Sequence, residues 1–162
     1  MQLITMIMAL ALGTVPLAHA HGDEDRPGTK AMTSRSDEST PFGRPGNAGK
    51  VNRTINIAMH DTMRFSPSSI AVRRGETVRF VVTNQGQMLH EMVLGTDAGL
   101  RKHAELMRKF PEMEHDDPNM VHVKPGTTGD MVWLFDKTGE FAFSCLVPGH
   151  FEAGMTGKVV VK

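Results

Sequence analysis

The chain has 162 residues, with 18 basic and 18 acidic side chains and a formal net charge of zero. That length holds one domain with additions, and the balanced charge excludes the basic excess that a nucleic-acid partner needs. A single Cys excludes an internal disulfide, and 13 Met beside 8 His ask for more than gap-filling in a core.

The first element in chain order is an export signal. Leu3 to Val15 is an apolar run too short to span a bilayer, and Ala18-His19-Ala20 is an A-x-A cleavage site. A signal peptide over 1–20 is predicted, with a mature chain that starts at His21, is periplasmic and has no membrane insertion after cleavage. In an oxidising compartment an unpaired thiol is a liability unless it is buried or bound to a metal. Residues 21–50 are rich in Gly, Pro, Ser, Thr and charge, with Met32 and Phe42 as their large apolar residues. Such a segment buries too little to offset its ordering entropy, so a disordered leader is predicted there, followed by one domain over 51–162.

From Val51 onward the pattern is short strands. Thr54–Met59 alternates with period two, as does Phe65–Val72, and Arg74-Gly75-Glu76 turns the chain. Thr77–Asn84 places Val78, Phe80 and Val82 on one face. His90–Gly95, Met120–Val123, Met131–Phe135, Gly139–Ser144 and Gly157–Val161 follow, separated by Lys124-Pro125-Gly126, Lys137-Thr138-Gly139 and Val147-Pro148-Gly149. One stretch breaks the rhythm. From Asp97 to about Met113, Leu100, Ala104, Met107 and Phe110 recur at helical spacing, with Asp97 as N-cap. The expected fold class is all-β: a Greek-key antiparallel β-sandwich with one inserted α-helix.

The chemistry concentrates in Phe143-Ser144-Cys145-Leu146-Val147-Pro148-Gly149-His150-Phe151-Glu152-Ala153-Gly154-Met155. A strand runs into Cys145, a Pro-Gly turn leads to His150, and a second small loop leads to Met155. Each residue alone has an ordinary reading: a buried Cys, a surface turn His, a core Met. Together they offer a thiolate, an imidazole and a thioether, the donors of a trigonal His₂Cys copper site with a long axial Met. The second imidazole is assigned to His90, which opens a strand after the turn-like Asn84-Gln85-Gly86-Gln87. The predicted metal ligands are therefore His90, Cys145, His150 and Met155, holding one copper with no open position for a substrate. No catalytic Ser-His-Asp or paired-carboxylate arrangement presents itself. One Cys excludes a dinuclear electron-transfer copper centre, and Ser144-Cys145-Leu146 lacks the His-Cys-His cluster of a multicopper oxidase.

Thr54 to Lys162 resembles the cupredoxin family. The resemblance is carried by Phe65-Ser66-Pro67 through Val72, Gly75-Glu76-Thr77-Val78, Phe80–Asn84 followed by His90, and the Cys145–His150–Met155 loop with its last strand Gly157–Val161. It implies a type 1 copper site, and the inserted helix sits where azurin-like members carry a flap. The wording of the ligand loop and the His- and Met-bearing leader are most similar to periplasmic copper-tolerance cupredoxins. One residue departs from the pattern: Glu91 stands where the family often has an Asn or Ser that braces the loop. A carboxylate there is expected to be protonated or turned outward.

These readings give two expectations for function. The first is copper tolerance by binding and oxidising Cu(I); the second is one-electron transfer between redox partners. The expected partner is accordingly a redox protein or a copper-handling protein, and the protein a monomer. Additional weak Cu(I) binding is expected from His60 with Met63, Met113 with His115 and Met120 with His122, and from His21 as a mature amino terminus.

Overall fold

Short strands with alternating apolar residues carry the architecture. The computed structural model describes residues 39–113 and 115–162; the expected signal peptide and residues 21–38 of the expected leader lie outside them. In chain order the elements are β1 (Arg44–Pro45), a 3-10 turn (Ala48–Lys50), β2 (Arg53–His60), β3 (Arg64–Ser66), β4 (Ser69–Val72), β5 (Glu76–Asn84), β6 (His90–Gly95), α1 (Asp97–Lys109), β7 (Met120–Val123), β8 (Thr128–Phe135), β9 (Gly139–Ser144) and β10 (Thr156–Val161).

Ten strands form two five-stranded sheets, ordered β1-β8-β5-β2-β3 and β4-β10-β9-β6-β7. Their facing sides share one core that includes Val78, Phe80 and Val82 of β5, Trp133 and Phe135 of β8, and Phe143 and Val159 of the second sheet. The expected all-β sandwich with one inserted helix is the observed fold. Pairing is not purely antiparallel, however: β2 runs parallel to β5 and β4 parallel to β10. The run read as a single strand from Phe65 to Val72 explains the first crossing between sheets. Pro67 has no N–H for a ladder bond, so pairing stops there. β3 stays beside β2, while β4 joins β10 in the other sheet.

Strand pairing extends N-terminal to Val51. Arg44 and Pro45 pair with Leu134 and Trp133. Phe42 stacks on Trp133 with ring centroids 5.3 Å apart, and Trp133 Nε1 donates to the Phe42 carbonyl at 3.0 Å. Residues 42–45 thus pack on the edge of the sandwich. One well-placed aromatic offsets what an average over the whole segment hides.

Helix α1 buries Leu100, Ala104 and Met107 against Val93, Met120 and Leu146, a second apolar cluster outside the sandwich core. Its N-cap is Thr96, whose side chain accepts from Gly99 N; Asp97 is the first helical residue and pairs with Arg101. The helix stops at Lys109 because Pro111 disfavours helical geometry in the residue before it. Phe110, expected on the apolar face, is consequently left 55% exposed.

Candidate metal centre

The loop after β9 folds back on itself. Gly149 has a φ of 90°, a left-handed conformation that lets the turn close, and His150 N donates to Val147 O at 2.9 Å. Met155 N then donates to His150 O at 3.0 Å, and Cys145 N donates to Met155 O at 3.1 Å. β10 resumes antiparallel to β9, with Thr156 opposite Ser144. Those bonds place Cys145, His150 and Met155 around one end of the sandwich. β6, paired with β9 and β7, brings His90 to the same end.

Cys145 Sγ lies 3.3 Å from His150 Nδ1 and 3.9 Å from His90 Nδ1, and the two Nδ1 atoms are 3.2 Å apart. His90, Cys145 and Met155 are fully buried, and His150 is 7% exposed. Two nitrogens each about 2.0 Å from one small ion sit roughly 3 Å apart, so the observed spacing suits a shared metal. Met155 is buried beside the trio through the backbone bonds just described. The donor set of two imidazoles, a thiol and a neighbouring thioether fits copper.

Three features of the surroundings are set by the tertiary fold. The first is Asp61, in the turn between β2 and β3. Its Oδ1 lies 3.0 Å from His90 Nε2, and its carboxylate also accepts from Gln87 N and Met88 N. A carboxylate on Nε2 holds the proton there and leaves Nδ1 bare toward the trio. The Gln87 N–H, with His90 and Met88 assisting and burial opposing, holds the Asp61 carboxyl below its usual range. Gly86 is required for this approach, since a Cβ there would collide with the Asp61 carboxylate. Asn84, fully buried, fixes the same loop by donating to Met88 O and Val123 O and accepting from Gly86 N.

The second is Glu91, which is not turned outward. It is 2% exposed; Oε1 accepts from Leu146 N at 2.9 Å and Oε2 lies 2.9 Å from His122 Nδ1. It therefore ties the residue after Cys145 to β6, the bracing task expected of an Asn or Ser, and its own N–H points at Cys145 Sγ at 3.5 Å. Burial pushes the Glu91 carboxyl up, against the pull of His122 and the Leu146 N–H. The partner of Glu91 is His122, which stands opposite it in the register of β6 and β7.

The third is electrostatic. Burial pushes the Cys145 thiol up to about 12; the Glu91 and Val147 N–H groups oppose this and the Glu91 charge adds to it. Burial also lowers the His150 pKa, helped by His90 and opposed by Asp61, so its ring is neutral and ready to donate. Of the methionines expected to bind further Cu(I), Met120 lies in the apolar cluster under α1.

A buried His₂Cys trio at one end of a two-sheet sandwich defines a cupredoxin-type protein with a type 1 copper site. Residues 51–162 match the model of the copper binding proteins of the plastocyanin/azurin family, and the chain belongs to that family. It is 54% identical over 145 residues to the copper-resistant cuproprotein CopI of Rubrivivax gelatinosus, covering 90% of this chain and 88% of that protein. Similarity extends to the copper-resistant cuproprotein CopI of Pseudomonas aeruginosa, 35% identical over 150 residues, with 75% and 82% covered. Among solved structures, auracyanin B shares the fold with a TM-score of 0.63 at 20% identity, over 77% of this chain and 99% of that one.

Proposed function

We propose that this protein is an exported, periplasmic copper-tolerance cupredoxin that holds one copper through His90, Cys145, His150 and Met155, binds Cu(I) and oxidises it. The observation that carries the ligand set is the convergence of two Nδ1 atoms and one Sγ in a buried pocket. The tolerance role is supported by the names of the two CopI relatives. Copper bound there supplies reversible one-electron chemistry between Cu(I) and Cu(II). Cys145 and Met155 favour the reduced ion through their soft sulfurs, and the imidazoles serve both states. Asp61 and Glu91 hold His90 and the ligand loop in place, so the donors move little when the charge changes. His150 is the member of the trio with an exposed edge, and it would be the route by which an electron from bound copper reaches a redox or copper-handling partner protein. Among the described residues no helix is long and apolar enough to cross a membrane. The proposed signal peptide, cleaved after Ala20, accounts for export.

Three measurements test this reading. The Cu(II) protein is expected to show an intense thiolate-to-copper absorption that Cys145→Ser abolishes while the apo fold survives; Met155→Leu is expected to keep copper and raise the reduction potential. Deleting the gene is expected to sensitise cells to copper, with rescue by the wild-type chain and not by Cys145→Ser. Full rescue by Cys145→Ser would remove the centre from the tolerance function.

A second reading, electron carriage between proteins, is favoured by one observation. Met88 and Leu89, just before His90, are 40% and 45% exposed. An apolar rim at the metal end suits transient docking of a redox partner. Cells that resist copper normally without the gene but lose respiratory electron flux would favour it.

A further inference from the structure

A second gathering of donor side chains lies where α1 meets β7. His103 on α1, His115 in the following link and His122 on β7 stand in a row, with ring centroids 4.7 Å apart for the first pair and 6.3 Å for the second. His103, Met113 and His115 line one groove of about 540 Å³, and Met113, His115, His122 and Glu91 line the next. The fold rearranges the pairs expected from the sequence. Met120 is 5% exposed in an apolar cluster and serves packing. His122 has both ring nitrogens engaged, Nδ1 with Glu91 and Nε2 with the His115 carbonyl at 3.2 Å. His115 is different. Its Nδ1 lies 3.3 Å from Met113 O, while its Nε2 is shielded from solvent and has no partner among the described residues. A shielded ring nitrogen without a partner is costly unless an ion or a water completes it. Burial, assisted by His115, lowers the His103 pKa against the opposing charge of Asp117, so that ring is a neutral donor near pH 7.

We propose that His115 Nε2, the His103 imidazole and the Met113 thioether form a second copper site, selective for Cu(I), in the groove between α1 and its following link. Neutral imidazoles with a thioether suit a soft monovalent ion and disfavour hard divalent cations, which take oxygen donors. The three imidazoles do not converge as tightly as the trio at Cys145. Met113 is 39% exposed, so the site is looser and exchangeable. His122, in the adjoining groove, meets the His115 ring edge-on, and its partner Glu91 accepts from Leu146 N in the ligand loop. A copper in the groove is therefore linked to the buried centre through His115, His122 and Glu91, suited to supplying it. That supply role rests on the copper-tolerance reading; the site itself does not.

The test is a Cu(I) titration of the exported protein against a chromophoric chelator, with the buried site already filled by one equivalent of copper. A second equivalent is expected to bind. The His103→Ala/His115→Ala variant is expected to weaken it by about 100-fold and Met113→Leu by about tenfold. An unchanged thiolate-to-copper band in these variants reports an intact fold. Cys145→Ser is expected to lose the first equivalent and keep the second, which separates failure of this site from failure of the buried one. His21→Ala is expected to leave the second equivalent unchanged. Absence of a second equivalent in the wild type, its retention in the double variant, or its loss in His21→Ala would each overturn the proposal.

Discussion

At the residue scale, the centre depends on groups that act on donors rather than donate themselves. Asp61 is the clearest case, because it faces His90 Nε2 from another strand pair. Asp61→Asn keeps an acceptor but removes the charge, and a reduction in Cu(II) affinity of about tenfold is expected, with a larger loss in Asp61→Ala. Competition titration reads both; unchanged affinity would confine Asp61 to bracing Gln87 and Met88. Cys145 carries a second prediction. A thiol held up to about 12 is protonated at pH 7, whereas metals bind the thiolate. Copper uptake by the apo protein in weak buffer is expected to release about one proton that Cys145→Ser does not release. The same shift sets the sign for apo stability. The folded pKa lies above the ordinary 9.0, so the contribution is full below that value and lost as pH rises toward 12. An apo melting temperature that held level across this window would contradict the burial argument.

At the element scale, the ligand loop and its supports come from strands far apart in sequence. β5 and β8 alternate cleanly, and their buried side chains were legible from period two. β1 was not, since two residues carry no period and their worth lies in the partner strand. Phe42→Ala removes the stacking on Trp133 and is expected to cost about 2 kcal/mol, less than a fully buried Phe because the ring is half-buried. Denaturant unfolding of the apo protein checks this. A change below about 0.5 kcal/mol would show that the Phe42 packing contributes little to folding. The helix shows the converse. Its existence and inner face were readable from Leu100, Ala104 and Met107, while its end was decided by Pro111.

At the scale of the whole molecule, metal and fold are linked. The trio is assembled only when β6, β9 and the loop to β10 are in place, so copper favours the folded state. With free copper about 100 times above Kd, the gain is about 2.7 kcal/mol, or roughly 10 °C in melting temperature for a domain this size. Paired melting curves with and without copper should show that rise, and Cys145→Ser should lose it. By itself the sequence determined the sandwich class, the strand periods and the four proposed ligands. Donor types at short spacing after a strand are a local signal, and three of the four proposed ligands lie within one loop. Only the tertiary structure decided the rest. Asp61 reaches His90 across strands, Glu91 turns inward because His122 stands opposite it in the register, and Phe42 is drawn in by Trp133. Each of these depends on which strands are neighbours, and two of the strand pairs are parallel returns of a chain that crossed between sheets at Pro67. Neighbourhood of that kind is set by the summed burial of the two sheets and leaves no mark in the spacing of any one segment.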